Sequence, residues 1–308
     1  MVVKKRIMIV GASGYGNLGD DAYKIIFNKY LSNEYDLIFD SPYPDLRYIE
    51  KIDHLIIGGG GLIYENNTEH FNYMSMYINK ARELGIPYYF ISCGLQIPVT
   101  KEELEKKDYT SLSKHIDGWK DHLINSKLIT VRSSTDKEVI NALLNNYGVN
   151  KYDRLFYCPD LCYLLEPSNY QVADNIGTVI IFGEKSLNNY DFLSAIKNEL
   201  NKQDTYFLSL SSINHSIINE YISMLRHESN YNDRKMITPQ EAIRMIKDSN
   251  NVITDRYHGI VFARVANKNE NDIRNLMNNY KGMTEEIPIN KMAAIANIEI
   301  LKRVLKEK

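Results

Sequence analysis

RIMIVGASGYGNLGDDAYKIIFNKYL, residues 6–31, joins an apolar run, a glycine-rich turn and an amphipathic segment without interruption. The apolar run, residues 6–10, predicts a buried strand. A helix is predicted over residues 20–31, with apolar side chains on one face: Ala22, Ile25, Ile26 and Tyr30. A strand, a glycine turn and a helix in this order are typical of the opening unit of a parallel α/β sheet.

The same alternation continues along the chain on both sides of a polar stretch at residues 166–177. Further strands are predicted at residues 35–39, 53–57, 87–92, 128–132, 178–182, 206–210 and 251–254. Helices are predicted at residues 71–84, 112–123, 136–147, 191–201, 214–226 and 291–306, with others starting at Thr238 and near Ile260. The pattern predicts two Rossmann-like α/β domains, residues 1–167 and 168–308, with parallel sheets flanked by helices and a cleft between the domains.

The composition limits the possible partners and compartments. The net charge is −2, from 37 basic and 39 acidic residues, so no overall positive field recruits nucleic acid. Cys93, Cys158 and Cys162 have neither the number nor the spacing of a disulfide framework or a zinc site. The N-terminal apolar run is too short for a secretory signal, and no stretch is long enough to span a membrane. We therefore expect a cytoplasmic protein, whose oligomeric state the sequence does not indicate.

The first glycine turn, residues 11–21, allows two interpretations besides a simple tight turn. Gly14, Gly16 and Gly19 match the G-x-G-x-x-G pattern, and Asp40 follows the second strand, as in a dinucleotide site. However, Asp20 at the predicted helix start would repel a pyrophosphate. A substrate site at this helix start is the other interpretation, because free amides there bind anions.

Four consecutive glycines, Gly58–Gly61, follow the strand predicted at residues 53–57. A structural turn seldom needs so many, since glycine costs ~0.5–1 kcal/mol relative to alanine in a regular element. We expect the backbone here to approach a ligand or the facing loop closely.

The third unusual segment is Thr254-Asp-Arg-Tyr-His-Gly259, between a strand and a helix. Arg256 supplies a planar fork for a carboxylate or a phosphate, and His258 supplies an imidazole, a group that can serve as acid or base. The alternative is an arginine paired with an acid and a histidine that caps a turn. Arg132 places a second cation at a strand end. The other histidines have no motif around them and are expected to be structural or surface residues: His54, His70, His115, His122, His215 and His227.

Together these segments resemble the polysaccharide pyruvyl transferase family. The matching stretches, in the family's order, are GNLGDDA at residues 16–22, GGGGLI at 58–63, ITVRSS at 129–134, PDL at 159–161 and DRYHGIVFA at 255–263. The resemblance implies a GT-B-like fold and a transferase that moves a pyruvyl group from phosphoenolpyruvate to the hydroxyls of a sugar or glycan acceptor. The products are a pyruvate ketal and phosphate.

On this basis we expect His258 to act as the general acid, and Asp20 to act as the base or to orient the acceptor hydroxyl. The expected substrate-binding residues are Arg256, Arg132, Gly16, Asn17, Gly19, Gly59, Gly60, Gly61 and Gly259. Neither a metal nor a cofactor is expected, and phosphoenolpyruvate serves as the donor substrate.

The chain departs from the family pattern after Arg264, where polar residues predict no strand, so the second sheet is expected to be one strand short. Three other functions fit parts of the pattern. They are a GT-B glycosyltransferase that uses a nucleotide sugar, an NAD(P)-dependent oxidoreductase, and a sugar-binding protein without activity.

Overall fold

In the computed structural model, six parallel strands form the first sheet. Their order is β2-β1-β3-β4-β5-β6, and all neighbours run parallel. The strands are β1 Lys5–Val10, β2 Tyr35–Asp40, β3 His54–Tyr64, β4 Tyr88–Gln96, β5 Leu128–Val131 and β6 Leu155–Tyr157. Central strands such as β4 are buried along nearly their whole length, as expected for a parallel sheet covered on both faces.

The second sheet has four parallel strands in the order β10-β9-β7-β8. They are β7 Thr178–Phe182, β8 Thr205–Ser209, β9 Asn251–Thr254 and β10 Ile273–Asn275.

The structure describes residues 3–11, 17–40, 46–97, 101–106, 108–149, 153–170, 176–182, 186, 189–197, 199, 202, 204–210, 237–276 and 291–307. The helix predicted at residues 214–226 lies outside them. The two parallel sheets confirm the predicted α/β fold class.

Helices connect the strands, and several begin at side-chain caps. They are α1 Leu18–Leu31, α2 Glu69–Glu83, α3 Lys101–Lys106, α4 Thr110–His115, α5 Lys120–Ile124, α6 Ser134–Asn146, α7 Tyr190–Lys197, α8 Pro239–Asp248, α9 Tyr257–Val265 and α10 Lys291–Lys306. Thr238 and Glu241 form the capping box predicted at the start of α8. The single helix expected at residues 112–123 is instead α4 and α5, separated by a 3₁₀ turn at Asp117–Trp119.

The prediction of a missing strand after Arg264 is wrong. Ile273, Arg274 and Asn275 form β10, which pairs with Val252, Ile253 and Thr254 of β9. Of the three β10 residues only Ile273 is buried. The strand lies at the sheet edge and shows no apolar run, because only one of its side chains packs inward.

The chain divides into two compact units. Unit 1 comprises Met1–Gly14, Tyr23–Leu164 and Asn279–Lys308, and unit 2 comprises Tyr15–Ala22 and Leu165–Asn278. This differs from the predicted division at residues 167 and 168 in the placement of α10 and of the first turn of α1. Among the described residues, no helix is long and apolar enough to cross a membrane.

The C-terminal helix α10 belongs to unit 1 because its apolar face packs there. Ile298, Leu301 and Leu305 are fully buried, and the helix lies against β5 and the 3₁₀ turn Leu161–Leu164. Lys306 forms an ion pair with Glu34 at 2.8 Å. The apolar stripe of α10 thus packs on the chain itself.

Candidate functional site

The junction of β9 and α9 holds two of the predicted site residues, Arg256 and His258. Thr254 ends β9, and its Oγ1 accepts a hydrogen bond from the Arg256 N–H at 3.0 Å. Arg256 is extended and stands immediately before α9, so His258 lies in the first turn of that helix. A Cβ on Gly259 would overlap the Thr254 hydroxyl, and a glycine is therefore needed for the helix to begin this close to the strand end.

The imidazole of His258, a residue of unit 2, is buried, at 8% exposure. Its ring lies edge-on to Tyr257, with centroids 5.1 Å apart, and is 6.2 Å from the ring of Phe262. Gly19 lies on it so closely that a side chain at residue 19 would overlap Nδ1. The structure therefore brings together the first and third sequence motifs.

Gly19 and Asp20 occupy the first turn of α1, whose start is fixed by Asn17. The Asn17 Oδ1 accepts a hydrogen bond from the Gly19 N–H at 3.1 Å, and the Asn17 carbonyl accepts one from the Asp21 N–H at 2.8 Å. Asn17 is thus the N-cap of α1, a role its residue type favours. Within the same unit, the Leu18 N–H donates to the Leu210 carbonyl at 2.9 Å.

Asp20 is almost completely buried, at 9% exposure, immediately after the glycine that touches His258. A carboxylate in the first turn of a helix is stabilised by the helix dipole. The candidate acid, His258, and the candidate base, Asp20, both belong to unit 2.

Arg256 and Arg132, the two predicted anion-binding arginines, have different surroundings. Among the described residues, no carboxylate lies within ion-pair distance of the half-buried Arg256 guanidinium. In unit 1, Arg132 is 7% exposed and its Nη1 lies 3.5 Å from Oδ2 of Asp160, which is fully buried. In the described part of the chain, Arg256 thus has no carboxylate partner, whereas Arg132 is held by an internal carboxylate.

Asp160 has two more donors in unit 1, which the sequence did not indicate. The Tyr23 hydroxyl donates to Oδ2 at 2.6 Å, and the Cys162 N–H donates to Oδ1 at 2.9 Å. The Tyr23 ring in turn lies on Gly59, where a Cβ would overlap it. The sequence pattern did not single out Tyr23.

The glycines at residues 58–61 lie inside a strand rather than in a loop, since β3 continues through them to Tyr64. Gly59 and Gly60 have φ angles of 82° and 103°, which glycine adopts without steric cost, and the pairing with β4 shifts register after Gly60. A side chain at Gly61 would overlap Gln96, and one at Gly11 would overlap the Gly58 carbonyl. Close approach to the facing loop thus accounts for part of this run. Gly14 and Gly16 lie outside the described residues.

Solved structures with a similar fold are enzymes of the GT-B type. UDP-GlcNAc 2-epimerase from Methanocaldococcus jannaschii, in complex with UDP-GlcNAc and UDP, has 12% identity and a TM-score of 0.53, covering 99% of this chain and 93% of that chain. The enzyme from Neisseria meningitidis bound to UDP-GlcNAc has 11% identity and a TM-score of 0.50, covering 98% and 99%. At these identities the likeness concerns the fold alone.

The sequence profile of the family described as polysaccharide pyruvyl transferase matches residues 15–269, most of the chain. The chain therefore belongs to the polysaccharide pyruvyl transferase family, as its motifs predicted. No curated protein sequence matches it significantly.

Proposed function

We propose that this protein transfers the pyruvyl group of phosphoenolpyruvate to two hydroxyls of a sugar, forming a cyclic ketal and releasing phosphate. Family membership supports the class of reaction. The observation that carries the proposal is that two suitable groups stand together at the start of α9. One is the buried imidazole of His258, and the other is the Arg256 guanidinium, which has no ion-pair partner among the described residues. Phosphoenolpyruvate carries a phosphate and a carboxylate, and either group matches the planar fork of arginine.

The reaction requires a proton donor and a proton acceptor. A proton is added to the CH₂ carbon of the enol, and the C2 carbon becomes electrophilic. The oxygen of one hydroxyl bonds to C2 and loses its proton, the C2–O bond to phosphate breaks, and a second hydroxyl closes the ketal with loss of its own proton. Phosphoenolpyruvate and a diol thus give the ketal and phosphate.

We assign the proton delivery to His258 and the acceptance of a hydroxyl proton to Asp20. An imidazole exchanges protons readily near neutral pH, and a carboxylate orients and deprotonates hydroxyl groups. A general acid and a general base each typically contribute ~10²–10⁴-fold to a rate. The reaction as proposed uses no cofactor.

The similarity of fold to UDP-GlcNAc 2-epimerases makes nucleotide sugars the natural comparison in a test. Phosphate release should be measured with phosphoenolpyruvate and a panel of sugar acceptors, beside UDP- and GDP-sugars as alternative donors. We expect phosphate release that depends on phosphoenolpyruvate and on one acceptor class. Turnover of a nucleotide sugar, without any use of phosphoenolpyruvate, would overturn the proposal.

His258→Ala should then lower kcat by ~10²-fold or more, as for loss of a general acid. His70→Ala, which removes an exposed histidine of α2, is the matched control and should keep wild-type activity. If the His258 variant turns over at the wild-type rate, the assigned mechanism is wrong even where the overall reaction stands.

A further inference from the structure

Segments that follow three strands of the second sheet meet around Asp255 and Asn189. The Ser186 hydroxyl donates to Oδ1 at 2.6 Å, and Nδ2 of Asn189 lies 3.5 Å from Oδ2. The same Asn189 Nδ2 donates to the Leu276 carbonyl at 2.7 Å. Since β9 lies between β10 and β7, Asp255 links the segment after β9 to the segment after β7, and Asn189 extends the link to Leu276 after β10.

The residues around Asp255 are themselves fixed. Asn189 is 6% exposed, and its Oδ1 accepts a hydrogen bond from the Phe192 N–H at 3.1 Å in the first turn of α7. The Leu276 N–H donates to the Thr254 carbonyl at 2.8 Å. Ser186 is 1% exposed. Asp255 is therefore held by groups that have little freedom of their own.

We infer that Asp255 is a positioning residue, which fixes Arg256 and His258 for the proposed pyruvyl transfer through its contacts with Ser186 and Asn189. The inference rests on the proposed function. Arg256 follows directly, and His258 lies in the first turn of α9. The N-cap of this helix, Arg256, makes no side-chain capping bond, so the start of α9 depends on other contacts.

In the part of the chain that the structure describes, the side chains that hydrogen-bond to Asp255 are uncharged, and this matters for Arg256. A carboxylate beside an arginine commonly pairs with it, which would neutralise an anion site. Here the Asp255 carboxyl group instead accepts hydrogen bonds from Ser186 and Asn189. Burial raises the pKa of Asp255, while the Ser186 hydrogen bond and the charge of Arg256 act in the opposite direction. The arrangement holds the acid in place and keeps the guanidinium available.

The test compares Asp255→Ala, Asp255→Asn and Ser186→Ala. Removal of the carboxyl group should lower kcat by between ~10- and ~100-fold, the effect of a small misplacement of catalytic groups. Asp255→Asn keeps an acceptor for Ser186 and should restore most of that loss. Ser186→Ala should also lower kcat and, combined with Asp255→Ala, should add little, since both substitutions remove the hydrogen bond between Ser186 and Asp255.

Amide hydrogen exchange supplies a readout that does not need turnover. The Ile260 N–H donates to the Arg256 carbonyl at 3.2 Å, in the first turn of α9, and the Ala266 N–H donates to the Phe262 carbonyl at its end. In Asp255→Ala and Ser186→Ala, we expect exchange at Ile260 to accelerate at least tenfold while Ala266 keeps its wild-type rate. Unchanged exchange at Ile260 in the folded variants would overturn the inference.

The two proposals fail in distinguishable ways. If wild type releases no phosphate from phosphoenolpyruvate but Ile260 exchange responds as expected, the proposed function fails and the positioning of α9 stands. If wild type is active and all three variants keep its kcat, the positioning role fails and the function stands. Should Asp255→Ala not fold, Ser186→Ala decides both readouts, because it removes only one hydroxyl.

Discussion

Gly19 of α1 and His258 of α9 are in such close contact that any side chain at residue 19 would occupy the space of the imidazole. Both residues belong to unit 2, although they lie far apart in the sequence. Gly19→Ala should therefore displace His258. We expect kcat for phosphate release to fall ~10²-fold, since a shift of about 1 Å in a catalytic group has this effect.

Asn28→Ala is the control for that substitution, because residue 28 is on the exposed face of the same helix. It should leave both kcat and the unfolding temperature close to wild type. Overpacking at residue 19 should also cost about 1–3 kcal/mol of stability. A Gly19→Ala protein with wild-type kcat would show that the position of His258 does not matter for activity.

Arg256→Lys tests the anion-binding role of the guanidinium. Lysine keeps the positive charge but lacks the planar fork, so the KM for phosphoenolpyruvate should rise about tenfold, as for loss of ~1.4 kcal/mol of binding. The unfolding temperature should not change, because Arg256 has no ion-pair partner to lose among the described residues. Unchanged donor affinity would contradict the assigned role.

Arg132→Met should have the opposite effect: it should lower the stability of the protein rather than raise the KM for phosphoenolpyruvate. Methionine keeps the aliphatic volume but removes the positive charge that Arg132 places beside Asp160, which is fully buried. Removal of one partner from a buried ion pair typically costs about 3–5 kcal/mol, and the 3.5 Å separation argues for the lower end. Urea unfolding measures this cost, and a midpoint equal to that of wild type would show that the pair is not structural.

The alternation of apolar runs and amphipathic segments was sufficient to predict the parallel α/β fold, because buried strands and one-sided helices leave a periodic pattern. The cap at Thr238 and the span of α10, Lys291–Lys306, were also predicted from local signals. The unit on which α10 packs was not predicted. An apolar stripe shows that a helix face is buried, but not against which surface.

What the sequence did not predict depends on contacts between distant segments. The bond between Tyr23 and Asp160 joins residues that have no common motif, and β10 is a short edge strand with one buried side chain. The role of Asp255 was hidden for a similar reason, because Ser186 and Asn189 carry no signal of their own. The motif at residues 254–259 identified the candidate site, but not the groups that hold it.

The three cysteines should be unreactive in the folded protein. Cys93, Cys158 and Cys162 are buried thiols outside any disulfide, and burial raises the pKa of Cys93 to about 12 and that of Cys158 to about 11. Since the thiolate is the reactive form, reaction with DTNB at pH 8 should be at least ~100-fold slower than for an exposed thiol. All three thiols should react in denaturant, and rapid labelling of the native protein would contradict the burial of these side chains.

Two buried histidines of unit 1, His54 and His122, should make the protein sensitive to mild acid. Burial lowers the pKa of each from 6.5 to about 4. Their imidazoles contact the Tyr89 hydroxyl and the Ser75 hydroxyl, at 3.0 and 3.1 Å. Between pH 6.5 and 4 the unfolded chain binds protons that the folded chain does not. The contribution of these two groups to the free energy of unfolding is therefore largest above pH 6.5. It decreases as the pH falls towards 4 and is constant below that value.

His54→Asn and His122→Asn remove one titrating group each, and asparagine can still bond to the neighbouring hydroxyl. Urea unfolding at several pH values gives the proton uptake on unfolding, which at pH 5 should be smaller by about one proton in each variant than in wild type. Carboxyl groups contribute equally to wild type and variants, so the difference isolates the histidine. Identical pH dependence in all three proteins would mean that both imidazoles already bind protons in the folded chain at pH 5, contrary to the lowered pKa values.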